Sequence, residues 1–108
     1  MNEHRRFIRL NAPIGVLYRL KKKSRKVREV ATLLRNLSGG GIRMTTKGEL
    51  RQGDIVELSI EIPLVEDPVR ATGEIVWARS LEAGVRFVDI RSRSLREVLD
   101  YVHHVGIG

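Results

Sequence analysis

The chain has 108 residues, of which 42% are hydrophobic, so it is long enough for one modest core and too apolar for wholesale disorder. Its 20 lysines and arginines against 13 acidic residues give a net charge of +7, which favours an anionic partner such as nucleic acid, a phosphorylated ligand or an acidic membrane face. The absence of cysteine excludes disulfides and thiolate metal sites, and no apolar run is long enough to cross a membrane. Since no signal peptide is evident either, we expect a cytoplasmic protein with no membrane insertion.

The first segment of the chain is polar and basic. Apart from Met1, residues 1–9 contain only two apolar side chains. Its arginines are Arg5, Arg6 and Arg9. A terminal segment of this composition is poorly ordered unless something holds it, so we predict a flexible arm over residues 1–11. Taken alone, such a segment is more often a solvated basic tail than a binding site.

The middle of the chain is predicted to form six short strands between residues 12 and 90. The predicted strands span residues 13–20, 27–37, 42–46, 54–62, 69–79 and 84–88. Apolar and polar residues alternate in them, as in strands with one buried face. The residues expected to face the core of the first and fourth strands are Ile14, Val16, Tyr18, Leu20, Val56, Leu58, Ile60 and Ile62. Gly73 is expected to mark a bend or bulge, and the basic run 21–26 is more typical of a solvated hairpin loop than of a nucleic-acid patch. Six antiparallel strands of this size indicate a closed or nearly closed small barrel.

The end of the chain has a helical period. Its apolar residues, spaced by three and four, are Leu95, Val98, Leu99, Val102 and Val105. We predict an α-helix over residues 92–105, with a capping box formed by Ser94 and Glu97 at its start. The apolar stripe is expected to pack against the barrel, and pairing with a second copy of the chain is the alternative.

The most distinctive segment, Asn36-Leu37-Ser38-Gly39-Gly40-Gly41, lies between the second and third predicted strands. Glycines adopt backbone conformations closed to other residues and let a ligand approach the main chain closely. Asn and Ser stabilise turns through their own side chains. In an arbitrary protein such a string is more often a structural turn than a binding site.

Together with the N-terminal arginines, this segment resembles the PilZ domain, the bacterial receptor module for cyclic di-GMP. The signature of that family is Arg-x-x-x-Arg followed further along the chain by Asp/Asn-x-Ser-x-x-Gly. The matching residues are Arg5, Arg9, Asn36, Ser38 and Gly41. The strand pattern and the closing Gly84-Val85-Arg86-Phe87 extend the resemblance over nearly the whole chain. It implies an all-β domain with one C-terminal helix: a six-stranded antiparallel split barrel with a flexible N-terminal arm.

The resemblance implies that these residues bind cyclic di-GMP, which carries two phosphates and two guanines. The arm arginines Arg5, Arg6 and Arg9 would offer guanidinium forks to phosphate or to guanine O6 and N7. Asn36 would bind a guanine edge, and Ser38 would donate to phosphate or guanine. Gly41 would let the backbone approach the ligand, and the arm would fold across the barrel to clamp it.

Four further residues are weaker candidates for the same site. Gly39 and Gly40 are expected to add conformational freedom to the turn. Trp77 is more typical of core or barrel-mouth packing than of a stacking platform, because tryptophan is highly buried on average. Arg79, like Arg86, could line the same face, although solvated surface arginine is the simpler interpretation.

The favoured function is a receptor or effector module that changes conformation on binding cyclic di-GMP and signals to a partner protein. One alternative is a basic barrel that binds RNA or DNA, against which the small number of aromatic residues counts. Another is a PilZ-like protein adaptor without a ligand, against which the presence of both motifs counts. We expect a monomer or a weak dimer.

No enzyme activity, catalytic residue, metal or cofactor is predicted. The sequence contains no Walker loop, metal-ligand cluster or Ser-His-Asp order of the kind that nucleophilic catalysis uses. His103 and His104 are adjacent in the predicted helix, so their side chains would point in different directions.

Overall fold

The computed structural model describes residues 8–21 and 28–107, with side chains for residues 14–21 and 28–105. Arg5, Arg6 and most of the predicted arm and basic loop lie outside these residues. The described elements are β1 Ile8–Leu20, β2 Glu29–Ser38, β3 Gly41–Thr45, β4 Ile55–Ile60, β5 Val69–Arg79, β6 Glu82–Ile90 and α1 Ser92–Ile107. The predicted class, six strands followed by one helix, is confirmed.

The six strands close into a barrel in the order β1-β2-β3-β6-β5-β4. All neighbouring strands are antiparallel, and β1 closes the barrel because it pairs with β2 on one side and β4 on the other. Closure gives each described strand a hydrogen-bonding neighbour on both sides, so these strands leave no free sheet edge.

The barrel interior is filled by the apolar residues that alternate along the strands. Those predicted from the first and fourth strands and now found buried are Ile14, Val16, Tyr18, Val56, Leu58, Ile60 and Ile62. Because successive residues of a strand point to opposite faces, burial of these apolar residues places the polar residues between them on the outer surface. Burying a side chain of this size stabilises the fold by about 1.5–3 kcal/mol.

The structure places the start of β1 earlier than the sequence predicts. Ile8 pairs with Leu37 and Arg9 with Asn36, so residues 8–11 belong to the barrel rather than to the arm. The register shifts between Arg9 and Ile14, which means that β1 carries extra residues there and then resumes its pairing. A bulge of this kind interrupts alternation without ending the strand, which is why the sequence pattern placed the boundary too late.

The helix α1 packs its apolar stripe against β1, β2 and β5, as predicted. Val98 and Val102 are buried at this contact. The predicted capping box is wrong, because the helix already begins at Ser92 and the amide of Leu95 donates to the carbonyl of Arg91 at 2.9 Å. Ser94 therefore lies inside the first turn, where its side chain cannot act as the N-cap.

The side chain of Tyr18 is buried, and its hydroxyl is a polar group at the end of the core. Its hydroxyl donates to Glu49 Oε2 at 2.6 Å. Burial, followed by the hydrogen bond and the negative charge of Glu49, raises the pKa of Tyr18 above its ordinary value of 10.0. The folded protein thus holds this proton more tightly than the unfolded chain does.

The raised pKa of Tyr18 predicts alkaline destabilisation. The unfolded chain releases the proton above about pH 10 while the folded chain keeps it, so stability falls by up to about 1.4 kcal/mol per pH unit above that point. Urea unfolding between about pH 9 and pH 11 measures the effect, and Tyr18→Phe, which has no proton to release, should show a shallower decline. If the free energy of unfolding falls equally with pH in both proteins, the attribution of the alkaline destabilisation to Tyr18 is wrong.

Candidate functional site

One residue from each half of the motif, Arg9 and Asn36, lies on a single line of paired residues across the barrel wall. Arg9 pairs with Asn36, Asn36 with Arg43, Arg43 with Gly84, and Gly84 with Trp77. These five residues form what we call the cross-strand row. Directly opposed residues of antiparallel strands share a face of the sheet, and the exposed Arg43 and Trp77 show that this face is the outer one. The structure therefore brings Arg9 beside Asn36, although the two are far apart in sequence.

A depression of about 540 Å³ lies along this row on the outer surface. Its lining includes Asn36, Ser38, Gly40, Gly41, Arg43, Val76, Trp77, Gly84 and Arg86. Its volume falls within the roughly 300–1,000 Å³ typical of small-molecule sites. We call it the outer depression. It combines an amide, two arginines and an exposed indole, which are groups that suit a flat, anionic, hydrogen-bonding ligand.

Ser38 shapes the turn at one side of the outer depression. Its side chain is fully buried, and its hydroxyl oxygen accepts from the amides of Gly40 at 3.1 Å and Gly41 at 3.2 Å. The hydroxyl proton is directed to the carbonyl oxygen of Gly41 at 3.4 Å. The structure thus gives Ser38 three backbone partners within the β2–β3 turn, whereas the sequence predicted a donor to the ligand.

Replacing this hydroxyl predicts a loss of stability. Ser38→Ala removes the acceptor of one buried amide, that of Gly41, and one part-buried amide, that of Gly40, so the free energy of unfolding should fall by about 1–3 kcal/mol. Chemical denaturation measures the change, and Ser59→Ala on the outer side of β4 is a matched control expected to change little. Equal midpoints for Ser38→Ala and the unmodified protein would overturn the structural role of the hydroxyl.

Gly41 is required by strand packing. A Cβ built at Gly41 would overlap the carbonyl oxygen of Val85 on the neighbouring strand β6. Among the described residues, the glycines with positive φ are Gly48 and Gly53, so Gly39, Gly40 and Gly41 do not use the left-handed backbone that glycine permits. The missing side chain of Gly41 lets β3 and β6 approach each other, and Gly40 accepts a hydrogen bond from the amide of Phe87 at 2.8 Å.

Trp77 lies on the outer face rather than in the core, with 36% of its surface exposed. The register of β5 shifts between Ile75 and Trp77, and the pyrrole edge of the indole lies where a Cβ of Gly84 would be. The guanidinium of Arg79 is 5.9 Å from the centre of the ring, within cation–π range. The indole therefore packs against Gly84 on the outer wall, where the bulge directs it, and its part in ligand binding stays a prediction. Gly73 stands at the other shift in the β5–β6 register, as predicted.

Of the two arginines in the lining, Arg43 was not recognised as a site residue from the sequence, and Arg86 was interpreted as a solvated surface residue. Arg43 pairs with Glu82, and Arg86 pairs with Glu74 at 2.6 Å. Arg43 alternates with the buried Ile42 and Met44, so its outward direction could have been deduced. Its position beside Asn36 depends on the pairing of β2 with β3.

Residues 8–21 and 28–107 contain no group of three or more metal-ligating side chains placed to hold an ion. Within the same ranges, α1 is too short and too polar to cross a membrane.

These features define a small closed β-barrel domain with a candidate ligand site on its outer wall. A family profile for the PilZ domain matches residues 3–104, so the chain belongs to the PilZ domain family. Cyclic di-GMP binding is the known function of this family, and its members are receptor or effector modules rather than enzymes.

A solved structure with the same fold is that of the inhibitor of motility MotI/DgrA from Bacillus subtilis. It superimposes with a TM-score of 0.75 at 18% sequence identity, over 95% of this chain and 51% of that chain. The present chain thus spans about half the length of that protein, and the likeness shows the fold. No curated protein matches the chain.

Proposed function

We propose that this domain is a cyclic di-GMP receptor in which the outer depression holds the ligand and the arm arginines close over it. The observation that supports the proposal is the backbone pairing of Arg9 with Asn36, one residue from each half of the motif, next to the depression that Asn36 lines. Because Ile8 pairs with Leu37, β1 begins beside the strand that carries Asn36 and Ser38.

The groups around the depression match the chemistry of the ligand. Asn36 is half-buried in the wall and binds a guanine edge through its amide. The exposed indole of Trp77 offers a flat surface to a guanine face. Arg5, Arg6 and Arg9 bind the phosphates, and the net charge of +7 attracts a doubly anionic ligand from a distance.

The proposed output is a change of surface rather than a reaction. Closing the arm over the ligand buries the outer wall of β2, β3, β5 and β6 and presents a different face to a partner protein in the cytoplasm. The barrel, which is closed on itself, serves as the rigid support for this movement.

Titration of the protein with cyclic di-GMP tests the proposal. Trp77 is the only tryptophan, so intrinsic fluorescence reports directly on the outer depression. We expect saturable quenching or a spectral shift with cyclic di-GMP and no comparable change with GTP at the same concentrations. An unchanged spectrum together with no heat of binding in calorimetry, or equal responses to both nucleotides, would refute the proposed function.

A further inference from the structure

We propose that Arg43 is a further ligand-binding residue that reads the O6 and N7 edge of a guanine and makes the site prefer guanine over adenine. This inference rests on the proposed function and extends it from the two motif halves to a residue of the barrel wall. It assigns base selectivity to the barrel, whereas the arm supplies charge.

Arg43 lies close to both Asn36 and Trp77 on the outer wall. Its direct neighbours in the cross-strand row are Asn36 on one side and Gly84 on the other, and Trp77 follows Gly84. Neighbouring strands are about 4.8 Å apart, so Arg43 lies roughly 5 Å along the row from Asn36 and roughly 10 Å from Trp77. A base stacked on the indole therefore has the Arg43 side chain within reach of its edge.

The ion pair with Glu82 orients the guanidinium of Arg43. Arg43 donates from Nε to Oε2 at 3.0 Å and from Nη2 to Oε1 at 3.1 Å. This bidentate contact uses one side of the guanidinium and leaves Nη1 and the second proton of Nη2 on the other side. Glu82 does not line the depression, whereas Arg43 does. Glu82 thus acts as a positioning residue that fixes the plane of Arg43 while its remaining donors stay available.

The charge balance indicates which part of the ligand Arg43 contacts. A guanidinium paired with a carboxylate has little net charge to offer a phosphate, and the carboxylate repels an anion. A neutral guanine edge avoids that repulsion and presents two acceptors, O6 and N7, that match a planar fork. Adenine presents the N6 amino group in place of O6, so its donor would face a donor of Arg43.

Calorimetric titration of the full chain with cyclic di-GMP and cyclic di-AMP tests the inference. The ratio of the two Kd values is the readout, because both ligands carry the same charge and only their bases differ. Arg43→Ala should weaken cyclic di-GMP binding by roughly 10- to 100-fold, the range for one bidentate base contact, and should reduce the ratio by a similar factor. Arg43→Lys should not restore the ratio, because an ammonium is a point charge without a fork. Glu82→Ala should also lower the ratio, although it removes a negative charge.

Arg19→Ala is the matched control. Arg19 forms an exposed ion pair with Glu57, as Arg43 does with Glu82, but it does not line the outer depression. Exposed ion pairs contribute little to stability, so all these variants should fold, which circular dichroism checks. If the unmodified protein binds neither ligand, both the proposed function and this inference fall. If it binds cyclic di-GMP and Arg43→Ala leaves the ratio unchanged, or Arg43→Lys restores it, only the role of Arg43 is overturned.

Discussion

Replacing Arg9 by alanine should weaken cyclic di-GMP binding by about 2–4 kcal/mol, the range for truncating one partner of a buried charge pair. This corresponds to an increase in Kd of roughly 30- to 1,000-fold. The physical reason is that a doubly anionic ligand enclosed between arm and barrel loses water at its phosphates and needs a cation in return. Arg5→Ala is expected to have an effect of the same size. Isothermal titration calorimetry measures both.

The strand pairing makes Arg9→Ala a clean test. Arg9 joins β1 to β2 through backbone pairing, which alanine preserves, so a loss of affinity cannot be ascribed to loss of that strand pairing. Arg51→Ala is the control, because Arg51 is an exposed arginine outside the depression whose backbone amide, and not its side chain, bonds Asp54. If Arg5→Ala and Arg9→Ala both bind with unchanged affinity, the clamp formed by the arm is wrong.

Gly41→Ala is expected to have the largest effect on stability, lowering the free energy of unfolding by about 3 kcal/mol or slightly more, at the upper end for overpacking. The added methyl group would overlap the carbonyl oxygen of Val85, which is backbone and cannot rotate away. Relief therefore requires β3 and β6 to separate where Gly41 pairs with Arg86. For a domain of this size the midpoint of thermal unfolding should fall by roughly 10–20 °C.

Gly15→Ala provides the comparison for Gly41→Ala. Gly15 lies in β1, and its added Cβ would meet only Glu61 Oε2 at 3.7 Å, an ordinary contact. Because alanine also restricts the unfolded chain, Gly15→Ala should be neutral or slightly stabilising. If the two variants have similar thermal midpoints, Gly41 is not required for the close approach of β3 and β6.

Local periodicity accounts for most of the fold that was predicted. Val56, Leu58 and Ile60 are buried because alternation assigns every second residue of a strand to one face, whatever the strand pairs with. The same reasoning located β5 at Val69–Arg79 and the buried stripe of α1. The two motif halves indicated the PilZ family from the sequence alone, because a motif consists of residue types at a fixed spacing and does not depend on strand pairing.

The roles of individual residues at the site could not be deduced in this way. Ser38 and Gly41 match the motif, yet their contacts are with the turn and with Val85 on β6, a strand more than forty positions later. The start of β1 was missed because pairing with β2 continues past an irregularity that breaks the alternation.

The order of residues in the chain was thus sufficient for the barrel class, the buried faces and the two motif halves, because each depends on neighbours within a few positions. The composition of the site was settled by strand register. Arg43 lies beside Asn36, and Gly84 beside Trp77, only because closure of the barrel aligns strands that are distant in sequence. A shift of one residue in either pairing would turn these side chains to the other face, so the candidate binding surface is a consequence of long-range pairing.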